Sequence, residues 1–265
     1  MENRLSNDLK RIASSLYIND RKFERTNIRR SIGSIVKYLT EHFETKVKGI
    51  IPFGSYTRGT MLPHGNDIQS DVDLMVVFST KDGKLTPEAY RKRLQRFAEL
   101  YYSRGKIVKD HPSVTIELNH LKFDMIAAVI DNGIIYDSID IPGKEEAWIE
   151  TDPNGFNRIL TSQNKKYKYI VKPTIRLIKY WNASHNYPFK SYELEKQIAD
   201  QDYSGCTFQQ AMGVAVRNLS SVGLTNAGEA ELNNLQANYI DMIQLLDNNN
   251  IYKAKQVLKK MLPGF

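Results

Sequence analysis

Two aspartates separated by one residue, Asp71 and Asp73, open an apolar segment, DVDLMVVF, that has the composition of a β-strand. Because side chains alternate across a strand, both carboxylates face one side of the sheet, while Val72 and Leu74 face the core. Two neighbouring carboxylates repel each other unless a hard cation that prefers oxygen ligands lies between them. The pair therefore indicates a metal site, with magnesium bridging to triphosphate oxygens as its natural occupant.

A third aspartate, Asp124, lies within LKFDMIAAV, a segment otherwise apolar enough to be buried. Three carboxylates can hold two metal ions about 3.5–4 Å apart, one activating an attacking hydroxyl and one stabilising the departing pyrophosphate. We expect Asp124 to take the proton from that hydroxyl. Asp71, Asp73 and Asp124 are thus the predicted catalytic and metal-binding residues.

A glycine-serine pair, Gly54-Ser55, follows the apolar strand that ends in IPF. Glycine lets the backbone approach a ligand closely, and the amides at the start of the helix that follows can point at phosphate oxygens. Ser55 adds a hydroxyl donor. Alone, each of these signals is weak, because an Asp-x-Asp sequence is more often a turn or a solvated pair. Their order along the chain favours a functional site over that interpretation.

The elements that must position these residues form two regions of different periodicity. Two helices, broken near Asn19-Asp20, precede short β-rich runs between about residues 49 and 140, with one helix near 86–102. From residue 152 onward the pattern is helical. We predict an α+β fold: a mixed sheet with helical cover and a helical second lobe. Residues 1–150 form the predicted catalytic lobe, and residues 151–265 a helical lobe that closes the nucleotide cleft.

The order Gly-Ser, Asp-x-Asp and a third Asp on a separate strand resembles the polymerase-β-like nucleotidyltransferase superfamily over roughly residues 50–130. The wider layout resembles the bacterial relatives of cyclic GMP-AMP synthase and oligoadenylate synthase, the DncV-like CD-NTase or SMODS family of anti-phage (CBASS) signalling. This resemblance implies condensation of nucleoside triphosphates, ATP or GTP, into a cyclic di- or trinucleotide with release of pyrophosphate. It also implies two Mg²⁺ ions, with Mn²⁺ as the alternative, and a downstream effector that senses the product.

The segment IRLIKYWN, followed by FKSYELE, resembles the nucleotide clamp of that branch. The resemblance carries over to Lys179, Ser191 and Tyr192. A lysine and a serine hydroxyl suit triphosphate oxygens, and stacking of a base on a tyrosine ring contributes about 1–3 kcal/mol. The alternatives are an exposed helix lysine and a core tyrosine.

Other polar residues are weaker candidates. Asp67 and Glu117 are the candidates to supplement the acidic site, although the Gly-Asn-Asp sequence around Asp67 favours a loop role. Arg58 follows the glycine-serine pair closely. Contact with phosphate is one interpretation, and a surface position or an ion pair within the protein is an equally good one. His64, His111, His120 and His185 have no metal-ligand spacing.

Composition sets the class of protein and of partner. The 265 residues are 41% hydrophobic, which is typical of a globular protein. The formal charge of +7 is compatible with an anionic partner such as a nucleotide or nucleic acid, and a solvated basic surface explains it equally well. The single cysteine excludes an intramolecular disulfide. With no apolar run of about 18 residues, we expect a soluble, cytoplasmic protein without membrane contact.

Two alternatives remain open. One keeps the fold and changes the acceptor to tRNA, protein or small-molecule hydroxyls; the absence of a separate RNA-binding module and the clamp-like residues argue mildly against it. The other is a basic nucleic-acid-binding sensor without catalysis, which the presence of all three carboxylates weakens. The basic residues of the second helix, among them Arg29 and Arg30, leave activation by nucleic acid open.

Overall fold

A computed structural model describes residues 3–81, 83–103, 105–108, 113–118, 121–131, 134–139 and 147–265. These residues contain seven strands and ten α-helices. The strands are β1 (Val47–Phe53), β2 (Asp71–Phe78), β3 (Lys106–Val108), β4 (Val114–Leu118), β5 (Leu121–Asp131), β6 (Ile134–Ile139) and β7 (Ala147–Glu150). The helices are α1 (Asn3–Ser15), α2 (Lys22–Phe43), α3 (Gly54–Arg58), α4 (Pro87–Tyr101), α5 (Gly155–Lys166), α6 (Val171–Ser184), α7 (Ser191–Ala199), α8 (Phe208–Asn218), α9 (Asn226–Asp247) and α10 (Ile251–Met261).

The chain divides into two compact units that interleave in sequence. The sheet unit consists of Lys22–Arg58 and Gln69–Arg158, and the helical unit of Met1–Arg21, Gly59–Ile68 and Ile159–Phe265. The first helix and a ten-residue stretch between α3 and β2 therefore group with the C-terminal helices. The functional division at residue 150 into a catalytic and a cleft-closing lobe stays a prediction.

The seven-stranded sheet has the order β1-β2-β5-β4-β3, with β6 paired to β5 and β7 paired to β6. Only β2 and β5 run parallel; the other described pairs are antiparallel. A parallel pair needs a long crossover, which here passes through α4, β3 and β4. The predicted α+β class, a mixed sheet with helices, is confirmed.

One face of the sheet packs against α2 and α4. Val72, Leu74 and Phe78 are fully buried on this face. The ring of Phe78 lies edge-on to Phe43 of α2, with centroids 5.1 Å apart, and 4.8 Å from the ring centroid of Tyr90 in α4. Because these residues alternate with Asp71 and Asp73, this packing directs the carboxylates to the opposite face.

In the helical unit, α6 is the central element, contacting α1, α7 and α8. Its side chains are buried almost all round, with Trp181 only 1% exposed. Strand β7 was not predicted, because the four letters AWIE are too short to show alternation. In the part of the chain that the structure describes, no helix combines the length and the apolar character needed to cross a membrane.

Two glycines should respond in opposite directions to the same substitution. At Gly213 in α8 an added Cβ would overlap the hydroxyl of Tyr239, whereas Gly33 in α2 is exposed and has open space around it. We expect Gly213→Ala to lower the free energy of unfolding by about 1–3 kcal/mol through overpacking. Gly33→Ala should raise it by about 0.5–1 kcal/mol, because alanine restricts the unfolded chain. Thermal and denaturant unfolding measure the free energy of unfolding of both variants. The same change in that free energy for Gly213→Ala and Gly33→Ala would contradict this description of the packing.

Candidate active site

Three carboxylates converge on one end of the sheet. Asp71 and Asp73 come from β2 and Asp124 from the parallel strand β5, where Asp73 and Asp124 are paired in register. One oxygen atom of each lies within 4.8 Å of those of the other two, and all three side chains are half-buried. The structure thus brings together the three residues that were selected from the sequence, while their catalytic role stays a prediction.

The alternation of the two strands produces this convergence. In β5, Lys122 and Asp124 are half-buried, whereas Phe123 and Met125 are buried in the core. Further along, the same face becomes apolar. Met75, Val77 and Ala128 form a buried cluster there, against which Ile51, Phe53, Ile130 and Ile135 pack. Water is scarce on that side of the carboxylates, so both their mutual repulsion and their attraction for a cation are strengthened.

A threonine on the neighbouring strand orients the third carboxylate. Thr115 of β4 lies opposite Asp124 in the antiparallel register, and its hydroxyl donates to Asp124 Oδ1 over 2.5 Å. Thr115 is buried, which fixes the direction of this bond. Thr115 was missed in the sequence, because the strand register that places it beside Asp124 is not visible there.

Gly54 occupies a position that no other residue fits. It follows β1 directly with φ +72°, and an added Cβ atom would overlap the Oδ2 atom of Asp73. Both the left-handed backbone and the close approach of the carboxylate therefore require glycine. Ser55 comes next in α3 and is half-buried, and Thr57 caps the turn by donating to the Gly54 carbonyl over 3.0 Å.

The weaker acidic candidates lie elsewhere. Glu117 forms ion pairs with Lys106 and Lys122, at 3.1 and 3.4 Å, and the hydrogen bond from Lys106 holds the pKa of the Glu117 carboxyl below its usual value. Asp67 is buried in the helical unit and accepts a hydrogen bond from the Tyr187 hydroxyl over 2.8 Å. Neither belongs to the acidic cluster among the described residues.

Arg58, at the end of α3, is buried, and its guanidinium carbon lies 5.4 Å from the ring centroid of Phe156. This cation–π contact favours a structural interpretation over contact with phosphate. His64 and His185 belong to the helical unit, and His185 Nδ1 lies 2.8 Å from the Trp181 carbonyl oxygen. His111 and His120 lie outside the described residues.

The three predicted clamp residues lie in the helical unit. Lys179 of α6 is only 5% exposed, and its ammonium donates to Glu195 Oε1 over 2.9 Å. Ser191 and Tyr192 begin α7, and both are exposed. The Lys196 ammonium lies 5.5 Å from the ring centroid of Tyr192. Neither alternative considered above describes this arrangement, because the lysine is buried and the tyrosine is on the surface.

Comparisons with known proteins place this geometry in a family context. The model of the Second Messenger Oligonucleotide or Dinucleotide Synthetase domain matches residues 4–164. A "probable cyclic nucleotide synthase" of Bacillus cereus strain VD146 is 27% identical over 187 residues, covering 58% of this chain and 55% of that protein. The chain thus spans about half the length of that curated relative.

Solved structures share the fold over nearly the whole chain. Escherichia coli MS115-1 CdnC with ATP is similar at a TM-score of 0.66 and 16% identity, with 96% of each chain covered. Bradyrhizobium diazoefficiens CdnG in complex with GTP is similar at a TM-score of 0.64 and 13% identity, covering 97% of this chain and 99% of that one. Identities this low establish the fold alone.

If the three carboxylates form a metal site, their repulsion should be measurable without metal. We expect Asp73→Asn to raise the free energy of unfolding in EDTA by on the order of 1 kcal/mol, because it removes one of three close charges without changing shape. The same variant should lose the stabilisation that Mg²⁺ gives the parent protein. Thermal unfolding with and without Mg²⁺ measures both, with the exposed helix carboxylate Asp241→Asn as the control. Equal Mg²⁺ stabilisation of all three proteins would contradict the site.

Proposed function

The chain belongs to the Second Messenger Oligonucleotide or Dinucleotide Synthetase domain family, which confirms the resemblance inferred from its motifs, and from that premise we propose its reaction. We propose that it is a metal-dependent nucleotidyltransferase that condenses nucleoside triphosphates into a cyclic di- or trinucleotide. The observation that carries the proposal is the in-register pair Asp73 and Asp124, with Asp71 beside them and Gly54 against Asp73.

The acidic cluster suits this chemistry. Its donor set consists of carboxylate oxygens, the ligands that Mg²⁺ prefers and that Mn²⁺ accepts. Two such ions would stabilise the charge on the triphosphate and on the departing pyrophosphate. Asp71 and Asp73 would hold them, and Asp124 would complete the set of ligands.

In each step a ribose hydroxyl attacks the α-phosphorus of a triphosphate, a phosphodiester bond forms, and the bond to pyrophosphate breaks. Asp124 accepts the proton of the attacking hydroxyl, with its carboxylate oriented by Thr115. A last step of the same kind, within the linear product, closes the ring. Gly54 and Ser55 supply the turn that binds phosphate.

ATP and GTP are the proposed substrates, supported by the solved relatives whose structures contain them. Ser191 and Tyr192 are exposed, so we propose direct contacts with nucleotide for these two. Lys179 is buried and its ammonium is bonded to Glu195, so its proposed contribution is to hold Glu195 on α7 rather than to contact phosphate.

The proposed setting is cytoplasmic anti-phage signalling, with an effector downstream that senses the cyclic product. This part rests on the family resemblance. The activity, substrates and partners of the whole protein are proposals as well, because the curated relative matches over 55% of its own length.

The proposed reaction predicts a defined product. Purified protein incubated with all four triphosphates and Mg²⁺ should form a phosphatase-resistant cyclic oligonucleotide, detected by mass spectrometry. Asp73→Ala should lower its formation by at least about 10³-fold, because the metal-dependent charge stabilisation is lost, whereas Asp241→Ala should leave it unchanged. Long linear RNA, label transferred to added tRNA or protein, or a product indifferent to Asp73→Ala would overturn the proposal.

Gly54→Ala should strongly reduce turnover by moving a carboxylate. The new methyl group overlaps Asp73 Oδ2, and the backbone at φ +72° adds a strain of about 1–2 kcal/mol. We expect the rate to fall by about 10²-fold or more, since displacements of 1 Å have that effect. Gly49→Ala, in the same strand region with no neighbour within 4 Å, is the matched control. Initial rates that are alike for the two variants would exclude the proposed role of the turn.

A further inference from the structure

The stretch between the glycine-serine turn and the Asp-x-Asp strand belongs to a different unit from both of them. This linking segment, Gly59–Ile68, groups with the helical unit, while α3 before it and β2 after it belong to the sheet unit. Four residues (56–59) separate Ser55 from Thr60, and three (68–70) separate Asp67 from Asp71. Whatever fixes Thr60 and Asp67 therefore limits the positions available to the turn and to the first carboxylate.

The near end of the linking segment is held by a buried carboxylate. The Thr60 hydroxyl donates to Glu195 Oε2 over 2.9 Å, and the Lys179 ammonium donates to Glu195 Oε1 over 2.9 Å. Thr60 and Glu195 are fully buried. The ammonium of Lys179 balances the charge of Glu195. Without that ammonium, the buried carboxylate would be strongly destabilising. The bond from Thr60 is thus charge-assisted and directional.

An arginine one turn earlier on α6 bonds the residue before Thr60. Arg176 donates from Nη1 to the Gly59 carbonyl over 3.0 Å and from Nε to the Ala13 carbonyl over 3.2 Å. Its guanidinium carbon lies 4.4 Å from the ring centroid of Tyr17. Burial lowers the pKa of Arg176 to about 10, which leaves it charged at neutral pH.

The far end is held by a tyrosine in an uncommon backbone conformation. Tyr187, in the connection between α6 and α7, has φ +54°, and its hydroxyl donates to Asp67 Oδ1 over 2.8 Å. The connection is fixed by Asn182, whose side chain donates to the Phe189 carbonyl and accepts from the Phe189 amide. A left-handed tyrosine costs about 1–3 kcal/mol and persists only when its surroundings determine it.

We propose that Glu195 and Tyr187 are positioning residues for the reaction: through Thr60 and Asp67 they hold the linking segment, and with it the Gly54-Ser55 turn and Asp71. This inference rests on the proposed function. The buried Lys179–Glu195 pair then has a positioning role, because it fixes the carboxylate where the Thr60 hydroxyl can donate to it.

Thr60→Val tests the near end, because it keeps the side-chain shape and removes the hydroxyl donor. Thr174→Val is the matched control: Thr174 is equally buried, and its hydroxyl donates to the Ile170 carbonyl within α6. We expect kcat to fall about 10–100-fold for Thr60→Val and to stay within about two-fold for Thr174→Val, at temperatures where both are folded. Thr60→Ser keeps the donor and should recover most of the activity.

Tyr187→Phe tests the far end in the same way. Tyr203→Phe is its control, because the buried Tyr203 hydroxyl donates to the Ile198 carbonyl, away from the linking segment. Tyr187→Phe should lower kcat about 10-fold and Tyr203→Phe should leave it unchanged, even though each substitution removes one hydrogen-bonded hydroxyl. If Thr60→Val fails to fold, this pair decides the question.

Hydrogen–deuterium exchange gives a readout that does not depend on turnover. Amides of residues 54–60 and 69–73 should exchange faster in Thr60→Val than in the parent protein. In Thr174→Val their exchange rates should equal those of the parent protein. A parent protein that makes no product from any triphosphate would overturn the proposed function. An active parent with equal rates and equal exchange for Thr60→Val and Thr174→Val would overturn the positioning role alone.

Discussion

The repulsion among three carboxylates, held within 4.8 Å of one another at the start of two parallel strands, is the constraint on which the site depends. The parallel register places Asp73 beside Asp124, and the apolar cluster further along the same face keeps water away from one side of them. Gly54 admits the Asp73 carboxylate where any Cβ would exclude it. Three like charges placed this close together do not stabilise a fold, so the arrangement points to a ligand of opposite charge.

The parts of this arrangement that were predictable are those that depend on local periodicity. Alternation along β2 fixes the common face of Asp71 and Asp73 from the letters alone, and the helical and β-rich regions follow from their periods, so the α+β class was predicted and is confirmed. The family, which is also confirmed, was predicted from the resemblance carried by the Gly-Ser and Asp motifs rather than from periodicity. Thr115 was not, because its contact with Asp124 depends on how β4 and β5 are aligned. Glu195 was not, because it is 135 residues from Thr60 in the chain.

Lys179 shows that a sequence motif can identify a candidate residue without predicting whether that residue is buried or exposed. The sequence of α6 combines an apolar stripe with Arg176 and Lys179, which by pattern alone belong on a solvated face. In the structure the helix is packed on almost all sides, and Lys179 is 5% exposed. A helix buried all round takes its polar residues inside with it, and each then needs a partner. Glu195 is that partner, so the buried position of Lys179 follows from packing that no single segment encodes.

A buried ion pair is weak evidence for stability, because well-packed apolar side chains often stabilise a protein as much or more. Met61 and Leu62 of the linking segment are themselves buried, so apolar burial already keeps this stretch with the helical unit. Apolar contacts, however, tolerate small displacements, whereas a charge-assisted hydrogen bond fixes a distance and a direction. Bond formation at phosphorus requires placement to within a fraction of an ångström. The hydrogen bonds that link Thr60, Glu195 and Lys179 therefore add little to stability, and they fix the position of Thr60. A fixed position is what the proposed reaction at the Gly54-Ser55 turn needs.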